Sequence, residues 1–199
     1  MYKRQPSTLY GALPELIRQL RAEAAIELGL SELTTLPQVE ALKRGRIDIG
    51  FGRIHIEDPA IVQEVIRQDP LVAALPAGHR LLAAPASLAE LAREPFVLYP
   101  ASPRPSYADH VMALFARNDL KIRVAQMTNE LQTAIGLVAA GIGISLVPAS
   151  VQRLHRDDIG YTPLLDASAT SPIVISYRKD DDSPLLKRCL KLVKNLDLE

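Results

Sequence analysis

Hydroxyl residues recur where the chain turns from an extended run into a helix: Ser7 and Thr8, Thr34 and Thr35, Ser106, and Thr128. A helix N-terminus carries unpaired amide donors and roughly half a positive charge, so hydroxyls and amides there can hold an anion. In open α/β sheets these helix starts gather at the carboxyl ends of strands, where ligand crevices form. The chemistry is recognition of a small anion, best a carboxylate, with two lobes aiming their helix starts into one cleft. The plainer reading of each residue is an N-cap, a position that prefers Ser and Thr. Only the recurrence favours the cleft.

Other chemistries find less support. No G-x-S-x-G elbow, phosphate loop or H-E-x-x-H helix occurs. His55, His79, His110 and His155 are dispersed, with no metal-pair spacing, and His110 stands one turn after Tyr107. Cys189 is the single cysteine, so neither an intramolecular disulfide nor a Cys-based zinc site is available, and it falls on the apolar face of the last helix. We expect no enzyme, no cofactor and no metal.

The elements that must position the hydroxyls follow a repeating order. Leu9, Leu13, Leu16, Ile17 and Leu20 form the stripe of an amphipathic helix. "AAIELGL" (24–30) reads as a strand; Thr35 and Gln38 have capping-box spacing before a helix buried through Leu36, Val39 and Leu42 and ended by Gly45. "IDIGFG" (47–52) reads as a strand, followed by a short apolar strand and a turn within 70–81, a short helix at 87–92 and a strand at 95–100. Ser106 caps a helix opening at Tyr107, "IRVAQM" is a strand, Asn129 to Gln132 has cap spacing before the next helix, and "GISLVP" is again a strand. Two strands within 161–179 and a helix over 184–196 complete the chain, while "DDD" (180–182) reads as a solvated loop. "MYKRQ" reads as neither strand nor helix and suits a truncation edge. The alternation predicts an α/β fold with mostly parallel sheets. With no flexible linker, two lobes would be joined by crossover strands: residues 1–69 with 173–199, and 70–172.

Composition sets outer bounds. Lys plus Arg and Asp plus Glu number 23 each, so the chain lacks the basic footprint of a nucleic-acid surface, and its 48% hydrophobic residues suffice for a core. There is no signal-like segment and no apolar run of membrane-spanning length, which predicts a soluble, cytoplasmic chain without membrane contact.

Taken together, "LPELIRQLRAE", "EALKRGRIDIGFGR", "AGHRL", "FVLYP" and "LQTAIGLVAAGIGISLVPAS" resemble the effector-binding domain of LysR-type transcriptional regulators across essentially the whole chain. "GRIDIGFGRIHIEDPAI", "LYPASPRP" and "PLLD" resemble the branch that controls catechol, benzoate and chlorocatechol degradation. The resemblance implies two Rossmann-like lobes as in type 2 periplasmic binding proteins, with cis,cis-muconate or a chlorinated relative between them. It carries effector contacts onto Ser7, Thr35 and the turn Pro105, Ser106 and Tyr107, with tyrosine where phenylalanine is expected in close relatives. A second arginine-centred site seen in some benzoate-responding relatives would fall on Arg67, with Arg53 and Asp69 as a nearby ion pair; a salt bridge at the surface or between lobes is the plainer role for Arg67. The same resemblance implies homodimers or homotetramers, promoter DNA bound only through an N-terminal winged helix-turn-helix outside this sequence, and RNA polymerase as a partner of the full-length protein. A periplasmic solute-binding protein for a small organic anion shares the architecture and is the alternative.

Overall fold

A computed structural model describes residues 2–4, 13–22 and 27–195. In unit 1, formed by Met1–Gln68 with Pro172–Glu199, the chain opens with β1 (Tyr2–Arg4), α1 (Leu13–Arg21), β2 (Leu30–Glu32), α2 (Thr35–Lys43) and β3 (Ile49–Gly52). The 16-residue β4 (Ile61–Pro76) leads into unit 2, Asp69–Ser171. There follow α3 (Leu88–Leu91), β5 (Pro95–Leu98), α4 (Tyr107–Ala116), β6 (Arg123–Met127), α5 (Leu131–Ala139), β7 (Ser145–Pro148) and β8 (Ile159–Pro163). β9 (Thr170–Arg178) returns to unit 1, and α6 (Pro184–Asn195) follows. Strands β4 and β9 are thus the two crossovers of an α/β fold.

The sheet of unit 1 has the order β2-β1-β3-β9, with β1 parallel to both β2 and β3 and β9 antiparallel to β3. In unit 2, β4 pairs antiparallel with β7 and β8, and β5 pairs parallel with β6. Pairing is therefore mixed where the sequence suggested mostly parallel. The antiparallel pairs all involve the two strands that pass between the units: β4 meets β7 and β8, and β9 meets β3.

Three local expectations are corrected. Tyr2–Arg4, inside the segment read as unstructured, forms a strand; ladders to β2 and β3 on both sides outweigh weak local preference. The strand expected over 24–30 instead occupies Leu30–Glu32, in register with that short β1, while 27–29 stay outside the ladder and 24–26 lie outside the described residues. The segments around Arg67 and Leu71 are one strand; Pro70, which lacks an amide hydrogen, stands just before the residues paired with β7 and β8.

The wording of β3 explains how unit 1 positions its helices. Successive strand residues face opposite sides. Ile49 and Phe51 enter a core with Leu16, Leu20, Ile175, Leu186, Cys189 and Val193, while Gly50 and Gly52 lie beneath side chains of α2. The helix ends as its sequence predicts: Gly45 takes φ +64°, its amide donates to Leu42 O at 2.9 Å, and Arg46 N donates to Ala41 O at 2.9 Å. In unit 2, Leu71–Leu75 of β4 are buried, and Phe96 of β5 meets Phe115 of α4 edge-on with ring centroids 5.1 Å apart. Among the described residues, no helix is long and apolar enough to cross a membrane.

Candidate functional site

In unit 1 the candidate site is the first turn of α2. Thr34 is the N-cap, extended at φ −72° and ψ 166°, and its side chain makes no capping bond. Thr35 is the first helical residue and is buried. This moves the cap one position from the expected Thr35–Gln38 box. The third helical position is therefore Pro37, which has no N–H for a threonine oxygen to accept, and Gln38 does not reach back. Its Nε2 instead donates to the Phe51 carbonyl of β3 at 3.1 Å. Gln38 N donates to Thr34 O at 3.0 Å, so Thr35 and Leu36 hold the amides that the helix itself does not use.

In unit 2 the matching feature is the start of α4. Ser106 is the N-cap as expected, and the Asp109 carboxylate accepts its backbone N–H at 2.7 Å. The Ser106 hydroxyl donates to Pro100 O at 2.8 Å and approaches Asp109 Oδ2 at 3.3 Å. Arg104 Nε donates to Asp109 Oδ1 at 2.9 Å, and its Nη2 also binds this carboxylate. The guanidinium is the main cause holding the Asp109 carboxyl below the usual range. Pro105 is exposed and Tyr107 buried. The Tyr107 hydroxyl points toward the Leu146 carbonyl of β7 at 3.4 Å, while its ring lies 5.3 Å from Tyr99 and 5.9 Å from His110. His110 Nε2 in turn lies 2.8 Å from Thr170 O, at the start of β9.

Thr128 is corrected from its expected place at a helix start. The N-cap of α5 is Glu130, so Thr128 ends the β6 run, donating through N to Leu98 O at 3.0 Å and accepting from Ala101 N at 2.8 Å. Asn129, read as a cap, accepts the Ser102 amide through Oδ1 at 3.1 Å. The bonds from the Ala101 and Ser102 amides tie Thr128 and Asn129 to the loop before Ser106. The neighbour of Thr128 supplies the missing physical reason: the Asn129 side chain is engaged by that loop.

Ser7 and Thr8 lie outside the described residues. Of the arginine-centred set, Arg53 is buried in unit 1 and Arg67 is half-buried on β4. Asp69 is buried in unit 2 and accepts from Ser150 Oγ at 3.0 Å. Cys189 lies in the core. Among the described residues, no group of three His, Cys, Asp or Glu is placed to hold a metal ion. Residue reading missed Gln38 as a buried anchor, misassigning it to a cap, and missed Asp109, although the S-x-x-D spacing from Ser106 signals it.

An α/β fold whose two units each offer a polar helix start invites comparison with known proteins. Residues 5–197 match the family described as LysR substrate binding domain. The chain belongs to this family. It is 64% identical over 188 residues to the HTH-type transcriptional regulator CatR of Pseudomonas putida, covering 94% of this chain and 65% of CatR. It is 40% identical over 194 residues to the regulator BenM of Acinetobacter baylyi, covering 96% of this chain and 64% of BenM. The chain thus spans under two thirds of these relatives' length. The BenM effector-binding domain solved with its effector benzoate matches at TM-score 0.90 and 39% identity, covering 97% of this chain and 89% of that one. Full-length CbnR in complex with its target DNA matches at TM-score 0.89 and 30% identity, covering 97% of this chain and 68% of that one.

Proposed function

We propose that this chain is the effector-binding part of a LysR-type transcriptional regulator of aromatic catabolism, and that it senses cis,cis-muconate or a chloromuconate. The observation that carries the reading is its likeness, over 97% of its length, to a regulator domain solved with a small aromatic carboxylate. Thr34, Thr35 and the first α2 amides in one unit, with Pro105, Ser106, Tyr107 and Thr128 in the other, are the proposed effector residues, joined by Ser7 and Thr8. The Thr35 and Leu36 amides and the helix dipole at the start of α2 favour carboxylate oxygens without a metal, whereas the start of α4 already holds the Asp109 carboxylate on the Ser106 amide. Arg53, Arg67 and Asp69 are a proposed secondary site.

The polymerase-facing and DNA-facing acts belong to the whole regulator: promoter DNA through a winged helix-turn-helix outside this sequence, RNA polymerase, and assembly as a homodimer or homotetramer in the cytoplasm. The names of the relatives speak for regulation rather than catalysis and against a periplasmic solute-binding protein. Effector binding regulates only insofar as the effector prefers one arrangement of the protein over another.

Isothermal titration with cis,cis-muconate, benzoate and succinate tests this. Saturable binding selective for muconate is expected; heat from none of them, or equal affinity for succinate, overturns the effector assignment. Thr35→Ala and Ser106→Ala should each weaken muconate binding by about 1–3 kcal/mol, the range for leaving a charged partner short of a hydrogen bond. Loss of melting temperature with unchanged affinity would reduce Thr35 to packing in the first helical turn and Ser106 to a helix cap.

A further inference from the structure

A polar side chain occupies the space between α2 and β3 where an apolar one would ordinarily serve. Gln38 is 0% exposed, lies one turn after Thr34 and Thr35, and is fastened to the strand by its 3.1 Å bond to Phe51 O. The strand is shaped around it. A Cβ on Gly50 would lie 2.4 Å from Gln38 Oε1, 2.5 Å from its Cδ and 2.8 Å from its Cγ, closer than real Cβ atoms approach. At Gly52, the last residue of β3, a Cβ would lie 3.6 Å from Gln38 Oε1 and 3.6 Å from Thr35 Oγ1. The carboxamide and the Thr35 hydroxyl therefore stand over the same spot at the carboxyl end of the strand. Directional hydrogen bonding limits where a buried carboxamide can sit far more than dispersion limits a leucine.

We propose that Gln38, seated on Gly50, is the positioning residue of the Thr34–Thr35 anion site: it sets the height and rotation of the first α2 turn over the end of β3. The inference rests on the reading that this turn takes an effector carboxylate. Gln38 acts through Thr35, and the two glycines of β3 are the socket that admits it.

The test compares the full chain with Q38A, G50A and Q38A/G50A by three readouts: backbone amide NMR signals of Thr34, Thr35 and Leu36 without ligand, affinity for cis,cis-muconate, and melting temperature. Each single variant should move the Thr35 and Leu36 signals and weaken muconate by about tenfold, within the coupling measured between contacting residues. In the double variant the losses should not add, because removing the carboxamide removes its clash with the new methyl group. If G50A fails to fold while Q38A/G50A folds, the clash is demonstrated directly and Q38A carries the affinity comparison. Unmoved amide signals and unchanged affinity alongside a lowered melting temperature would overturn the proposal, leaving Gln38 as core packing; fully additive losses would overturn the socket. If the parent chain itself does not bind muconate, the effector assignment fails, and the ligand-free amide signals alone decide the role of Gln38.

Discussion

At the scale of single residues, the α4 start holds an internal anion. The Asp109 carboxylate takes the Ser106 amide and is bound by Arg104, so the folded state prefers it charged. Its pKa is lowered from the ordinary 3.8, with the Arg104 hydrogen bond as the largest cause. A carboxyl with a depressed folded-state pKa contributes stability that is present in full above the ordinary value and lost as pH falls through the lowered one. Asp109→Asn should therefore lower the melting temperature at neutral pH, and the gap from the parent should close as the pH drops below 3.8, measured by thermal melts across an acid series. Arg104→Gln should shift the midpoint of that series upward. The cap at Ser106 was legible from its residue type at a helix start, though its partner Asp109 was not read from the S-x-x-D spacing, whereas the cap at Thr35 was misplaced because Thr34 and Thr35 are chemically alike in sequence. Only the observed turn shows that Pro37 fills the third position and releases Gln38 for the strand.

At the scale of elements, α2 is held at both ends by different chemistry. Gln38 fastens its beginning, and Arg178 of β9 fastens its end, donating through Nη1 to Leu42 O at 3.2 Å and Ile47 O at 2.6 Å and through Nη2 to Asp48 at 3.1 Å and Asp181 at 2.5 Å. These are charge-assisted bonds to two carbonyls, of which Leu42 O also accepts the Gly45 amide, and to two carboxylates. Arg178→Met should cost about 2–3 kcal/mol in urea unfolding, the scale of hydrogen bonds to a charged group, and Arg178→Lys should recover only part because a single ammonium cannot span four acceptors. Helices and buried strands were readable where periodicity was strong, as in the Leu16, Ile17 and Leu20 stripe and in "GISLVP". The short β1 and β2 were not, since three-residue strands owe their existence to neighbours far along the chain. Arg178 was equally silent: apart from Asp181, its partners Leu42, Ile47 and Asp48 lie more than a hundred residues away.

At the scale of the molecule, alternation of strand and helix was enough to predict α/β architecture, and the motif wording was enough to suggest the family to which the chain belongs. Antiparallel pairing of β9 with β3 was beyond local pattern, because it follows from the route by which the chain returns. That route also dictates a schedule. Unit 2 is one uninterrupted stretch, whereas the core of unit 1 draws Ile175, Leu186, Cys189 and Val193 from beyond it. A ribosome finishes every residue of unit 2 while Ile49 and Phe51 still lack those partners, and domains fold as units during synthesis. Stalled nascent chains with residue 171 just outside the exit tunnel should show protease protection within unit 2 and cleavage between β2 and β4; equal protection of both would refute the order. The later part of translation then carries the hazard: until β9 emerges, the β3 edge it will cover is bare backbone beside uncovered apolar side chains, and it is there that a chaperone would be needed.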